Sequence, residues 1–363
     1  MIGRTLGSYF ALRFAKTMLA MMVSLILLII MIDFVEQVRK AAEASDISMF
    51  DLIKLSALKA PIFIDKAFPF ACLFAAMITL TQLNNKLELV VVRASGISAW
   101  EFLMPIGLTA MVIGLFVALV YNPLAILSFE ASKNAEVEIF DRGQRARNAE
   151  VAGYWIRQDE PSGSSILNAR IARKEGSLLD DVKIIRFDEV GRIVERIDAK
   201  RAAYKGDHWR LHDAVSVGED GRAVQNSTLD IPTKLSRDAL VGITASPDSI
   251  PVWSLRQTAT KALLSGGNPN PYLVQFYSLL ALPLFLLAMV LIAATVTLRF
   301  VRFGQVGRLI VGGILSGFLL YTITNIVTSL GSNGIVPPPI AAWSPAIVAI
   351  LFGITILLHQ EDG

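Results

Sequence analysis

Cysteine occurs once in the 363 residues, at Cys72, and histidine three times, at His208, His212 and His359. One cysteine excludes a disulfide framework within the chain. Charge is scarce as well: Asp, Glu, Lys and Arg make up 18 %, less than a soluble domain of this length carries. No Gly-x-x-x-x-Gly-Lys-[Ser/Thr] loop occurs, which excludes ATP binding by that route. His-Glu-x-x-His and Gly-x-Ser-x-Gly are missing too, and no paired aspartates lie inside an apolar run. On a strand, His208 and His212 would share a face about 13 Å apart, too far to chelate one ion. The expected catalytic residues, metal ligands and cofactors are therefore none. A net charge of +3 is too small to suggest nucleic acid.

Apolar residues are abundant: 53 % of the chain, with a mean hydropathy of +0.54. They fall in six runs centred on Met18–Ile32, Ala67–Leu80, Phe102–Val120, Leu273–Leu298, Leu309–Ser329 and Ile340–Leu358. A membrane-spanning helix needs about 20 apolar residues, and the last three runs meet this directly. The first two reach that length only by including charged residues at one end. The fold class is thus an α-helical membrane protein of six transmembrane helices with one large insert. The expected division is 1–122 for three helices, 123–270 for the insert and 271–363 for three more. The first run is expected to stay uncleaved, because helical character continues through Asp33–Glu36 and no small-residue site follows.

Basic residues set the expected orientation. Arg4, Arg13 and Lys16 precede the first run, Lys86 and Arg93 lie between the second and third, and Arg299, Arg302 and Arg308 between the fourth and fifth. The loop Gly331–Pro339 has no charge. Both termini are expected in the cytoplasm and the insert on the far side. Within the insert, short alternating runs such as Ser165–Ala172 and Val182–Phe187 are separated by turn signals such as Lys205–Asp207. They predict an all-β antiparallel sandwich or jelly roll. Pro251–Ser265 reads as a short helix.

The most specific local feature is Gln82–Gly96, QLNNKLELVVVRASG. Over about 84–96 it predicts an amphipathic helix. Leu83, Leu87, Val90, Val91 and Ala94 form its apolar stripe, and Gly96 is its C-terminal stop. Such a helix either lies on the lipid surface or docks into a cytoplasmic partner. An interfacial helix favours an all-basic polar face, and Glu88 breaks that pattern.

The stretch Glu88–Gly96 resembles the corresponding loop of the LptF/LptG (YjgP/YjgQ) lipopolysaccharide export permeases. The resemblance covers essentially the whole chain. Phe34–Lys40 and Gly334–Ile340 are closer to the LptG branch than to LptF. It implies a non-catalytic permease subunit of an ABC transporter in the inner membrane of a Gram-negative bacterium. The implied partners are an LptF-like paralogue, an LptB-like ATPase dimer, and LptC-like and LptA-like periplasmic proteins. The implied cargo is lipopolysaccharide, taken from the membrane and passed to a bridge of β-jellyroll domains. Glu88 is the implied ATPase contact, with Leu87, Val91 and Arg93 beside it. Arg39, Lys40, Lys59, Lys66 and Lys133 are the implied lipid-phosphate rim, and each lysine alone could equally snorkel to the interface. Gly313 and Gly317, in small-xxx-small spacing, fit either a lateral gate or ordinary packing within the subunit. Asp33, Ile62 and Glu130 depart from basic positions of the family. The alternative function is a membrane-tethered scaffold or sensor without transport.

Overall fold

A computed structural model describes residues 4–41, 47–140, 154–160, 163–173, 177–188, 192–218, 222–233, 246–264, 267–298 and 306–362. The chain forms two compact units, one helical and one built on a β-sheet.

The helical unit contains α1 (Arg4–Ala41), α2 (Met49–Asn85), the short α3 (Glu88–Ala94), α4 (Ala99–Phe116) and α5 (Asn122–Phe140) before the insert. After it come α7 (Asn270–Thr297), α8 (Val306–Ser332) and α9 (Pro338–Asp362), while α6 (Val252–Leu264) belongs for the most part to the β unit. Among the described residues, six helical stretches are long and apolar enough to cross a membrane. Several outrun the bilayer. The 37 residues of α2 span about 55 Å, against a hydrocarbon core of about 30 Å. This explains why the first two apolar runs look short: their charged turns continue the same helices outside the apolar core.

The helix starts are written locally. Ser48 caps α2 by accepting from the Phe50 amide, and Ser98 with Glu101 caps α4. The third span does not stop at Asn122, where the sequence suggested the insert begins. Pro123 cannot donate to the Leu119 carbonyl, and its ring crowds it. A π-helical turn, Val117–Tyr121, widens the ladder just before the proline, with the Asn122 amide donating to Val117. The helix then runs on to Phe140.

The helical core is built of Phe10, Phe14 and Phe102, the small residues Ala71, Cys72, Ala75 and Ala76 of α2, and Leu286–Val290 of α7. Gly114 brings α4 against α7. A Cβ there would lie 2.6 Å from the Pro283 Cα.

The β unit is one six-stranded antiparallel sheet in the order β1 (Tyr154–Glu160), β2 (Gly163–Arg173), β3 (Leu178–Phe187), β4 (Ile193–Tyr204), β5 (His208–Gly218), β6 (Ala223–Pro232). Each described strand pairs with its neighbours in sequence, so the connectivity is a meander without the crossovers of a Greek key. Its core holds Trp209, Leu179, Leu211, Ile184 and Ile197.

One row of the sheet breaks the alternation. Buried positions step by three there: Leu179 to Val182, Ala199 to Ala202, Leu211 to Ala214. Regular pairing lapses at Arg170, Asp181, Lys200 and Asp213, while the register on either side is the same. Asp181 and Asp213 take φ of 54° and 53°. Two successive residues of each strand therefore face outward, and each strand kinks so that one face stays on the core. The outward residues form ion pairs, Arg170–Asp181 at 3.2 Å, Arg201–Asp180 at 3.4 Å and Lys200–Asp213 at 3.4 Å. At the sheet edge, Arg210 bonds to Asp230 on the opposing strand and holds its carboxyl below the usual carboxylate range.

Gly114→Ala should lower the melting temperature in detergent, at a cost of about 1–3 kcal/mol, because the methyl meets backbone rather than a movable side chain. Gly312→Ala, which meets nothing within 4 Å, should leave it unchanged or raise it slightly. Equal melting temperatures for the two variants would show that the α4–α7 approach is not tight.

Candidate functional site

The stretch Gln82–Gly96 folds as two helices rather than one. Lys86 caps α2, and Leu87 takes a left-handed φ of 59° before α3 begins at Glu88. At the other end the Gly96 amide donates to Arg93 and the Ile97 amide to Val92. With φ of 82°, Gly96 closes α3 in the paired pattern that favours glycine.

The break redirects the apolar stripe. Leu83 is buried at the end of α2, and α3 turns Leu89 and Val92 inward. Leu87, Val90 and Val91 are 62, 47 and 67 % exposed, and Ala94 beside them is exposed too. The predicted stripe thus exists from Leu87 to Ala94, but it faces away from the subunit. Sequence periodicity counted through a left-handed residue cannot give that direction.

Glu88 points inward. One of its oxygens accepts from the Tyr9 hydroxyl at 2.9 Å, and Arg13 donates to both at 3.0 and 3.2 Å. Arg13 also donates to the Tyr9 hydroxyl. The side chains of Arg13 and Glu88 are 16 and 29 % exposed, so the pair is largely shielded from water. The guanidinium of Arg93 sits 5.9 Å from the centroid of the Phe102 ring. The carboxylate therefore ties α3 to α1, a link over 75 residues with no local sequence signal.

The five basic residues of the expected rim have different surroundings. Arg39 and Lys40 close α1, and Lys40 pairs with Glu36 at 3.0 Å. Lys59 is buried, and its Nζ lies 2.8 Å from Glu136 of α5. Lys133, one turn before Glu136, is exposed with its Nζ 4.7 Å from the Phe129 ring centroid. Lys66 is exposed on α2. Lys40 and Lys59 are thus paired with carboxylates, Glu36 and Glu136. Glu136 was missed from sequence because 123–140 was assigned to the β insert. Of the departures, Asp33 accepts from the Gln37 amide at 3.4 Å, and Glu130 is exposed.

Gly313 and Gly317 face α2 of the same chain. A Cβ at Gly313 would lie 2.6 Å from Met77 Cε, and one at Gly317 would collide with Leu73. This is packing within the subunit. The exposed face of α8 is instead Val311, Leu315, Phe318 and Leu319. Gly304, Arg299 and Arg302 lie outside the described residues. Among the described residues no group of His, Cys, Asp or Glu could hold a metal ion.

Residues 8–359 match the family described as lipopolysaccharide export system permease LptF/LptG. The chain is 24 % identical over 331 residues to the lipopolysaccharide export system permease protein LptG of Haemophilus influenzae, covering 85 % of each. It is 23 % identical over 300 residues to the protein of that name from Escherichia coli K12, covering 81 % of each.

Glu136→Ala should destabilise the protein by about 1–2 kcal/mol, because it leaves Lys59 buried without its partner. The figure lies below the range for a fully buried pair, since Glu136 is a third exposed. Adding Lys59→Met should recover most of that loss in a thermal melt. If the double variant is no more stable than Glu136→Ala alone, the pair does not hold α2 to α5.

Proposed function

Because the chain belongs to the LptF/LptG family of lipopolysaccharide export permeases, we propose that it is one permease subunit of an ATP-driven exporter. In this role it draws lipopolysaccharide from the inner membrane and passes it to a periplasmic bridge of β-domains. A separate LptB-like ATPase supplies the energy, an LptF-like paralogue completes the membrane part, and LptC-like and LptA-like proteins continue the bridge. Both termini and α3 lie in the cytoplasm, and the β unit lies in the periplasm. The basic residues flanking the spans support that orientation.

The observation that carries the reading is the outward apolar face of α3. Leu87, Val90, Val91 and Ala94 form a stripe on a short, well-terminated helix, the shape that docks into a groove. Glu88 then has a second part in coupling. Its carboxylate is bonded to Arg13 and Tyr9, so a partner that moves α3 also pulls on α1. The apolar stripe makes the docking contact, and Glu88 passes the displacement on.

The cargo makes the charged residues intelligible. Each methylene left in water costs about 0.8 kcal/mol, so a lipid with several acyl chains must travel along apolar surface. Its phosphates need cations where it leaves the membrane. Arg39, Lys40, Lys59, Lys66 and Lys133 supply these, with Lys59 shared with Glu136.

Val91→Asp should abolish co-purification of the ATPase in mild detergent without lowering the melting temperature, since Val91 is exposed. Glu88→Gln should retain the ATPase but weaken the dependence of transport on ATP. An ATPase that still co-purifies with the Val91→Asp protein would refute docking through this face. A photo-crosslinker in place of Lys133 should capture lipopolysaccharide when ATP is supplied. Capture that never depends on ATP would instead favour a tethered scaffold.

A further inference from the structure

The helix α6, Val252–Leu264, stands between the β-strands and the α7 span. Val252, Leu255 and Ala259 are buried, and they account for one side of the helix. The exposed side mixes polar residues such as Gln257 and Lys261 with large apolar ones. Trp253, Leu263 and Leu264 are 67, 62 and 83 % exposed. At 3.6 residues per turn, Trp253, Thr260 and Leu264 fall within about 40° of one another, whereas Leu263 lies about 20° from the buried Val252, beside the buried side. The exposed Arg256 and Lys261 flank this stripe on its two edges.

Chain connectivity limits where the stripe can be. Only residues 265–269 separate Leu264 from Asn270, where a membrane-spanning helix starts. That link reaches at most about 20 Å. The C-terminal end of α6 is therefore held near the bilayer surface. A tryptophan and a leucine, 67 and 83 % exposed, projecting together into water would be unfavourable there. In the headgroup region the same residues enter the acyl boundary, and tryptophan is favoured at that depth. Two cations at the edges of an apolar stripe complement lipid phosphates, with their stems lying along the apolar surface.

We infer that α6 lies on the membrane surface, on the side that carries the β unit. Trp253 and Leu264 sit in the acyl boundary, and Arg256 and Lys261 sit against lipid phosphates. This is independent of which lipid the protein moves.

Site-directed spin labelling tests the placement on the full chain. In a Cys72→Ala background, labels are attached after Trp253→Cys, Leu264→Cys or, as an aqueous control on β4, Ile193→Cys, which is 59 % exposed in the native chain. The protein is reconstituted in vesicles of phosphatidylcholine with phosphatidylglycerol. The ratio of oxygen to nickel-complex accessibility at 253 and 264 should exceed that at 193 several-fold. A ratio equal to the control places the helix in water and overturns the inference. Exclusion of both reagents means that protein covers the stripe, and overturns it equally. With the label at 264, Arg256→Glu/Lys261→Glu should lower the ratio more in these vesicles than in phosphatidylcholine alone. An equal drop in both, or none, overturns the phosphate contact.

Discussion

Inside a bilayer, helices gain nothing by leaving water, so close packing and a few hydrogen bonds must hold them together. In the helical unit α2 carries both. Over Ala71–Leu80 its small and flexible side chains let neighbours approach: Leu73 and Met77 receive Gly317 and Gly313 of α8, and the Cys72 thiol reaches the Leu286 carbonyl. Over Leu58–Asp65 the contacts turn polar. Tyr121 and Ser128 donate to the carbonyls of Pro61 and Leu58, Asn122 donates to Asp65, and Lys59 pairs with Glu136. The ionisable members of these contacts, Asp65, Lys59 and Glu136, would be costly in the middle of the hydrocarbon. A helix of about 55 Å has room to keep them outside its apolar stretch, which the sequence places at Ala67–Leu80.

The π turn follows from the same division. Tyr121 closes that turn and Asn122 follows it, and both donate to α2. The turn accommodates Pro123 and shifts the phase of the helix, so that Asn122, Ser128 and Glu136 all meet α2. Had the span ended at Asn122, Lys59 would be a buried cation without a counter-ion. The length of α5 and the charge on α2 are thus one feature.

The order of three spans, a β insert and three spans was legible in the sequence, because apolar runs and alternation are properties of neighbours in the chain. The helix Val252–Leu264 and the stop at Gly96 were legible for the same reason. What escaped depends on single backbone positions or on distant partners. The kink at His212–Asp213 interrupts the alternation of a strand that spans His208–Gly218 without a break. The left-handed Leu87 hid which way the α3 stripe faces. Ion pairs such as Arg13–Glu88 and Lys59–Glu136 join residues far apart in sequence, and no spacing rule finds them. The five expected rim residues share one charge sign, yet burial and carboxylate partners make them chemically unequal.

That inequality bears on how force and cargo meet in this subunit. In the proposed rim, Lys59 would reach a phosphate only by loosening its bond to Glu136, and that bond is part of the seam between α2 and α5. At the other end of α2, Leu87 and Lys86 form the short joint to α3, and α3 is tied through Glu88 to α1. A displacement of α3 therefore reaches α1 through an ion pair and α2 through the backbone. A ligand at Lys59 reaches the same α2 through the seam. Two inputs acting on one helix are linked by necessity: whatever strains α2 at one end changes the cost of rearranging the other. The apolar stretch between them is well packed and has little freedom to absorb the strain, so α2 serves better as a lever than as a spring.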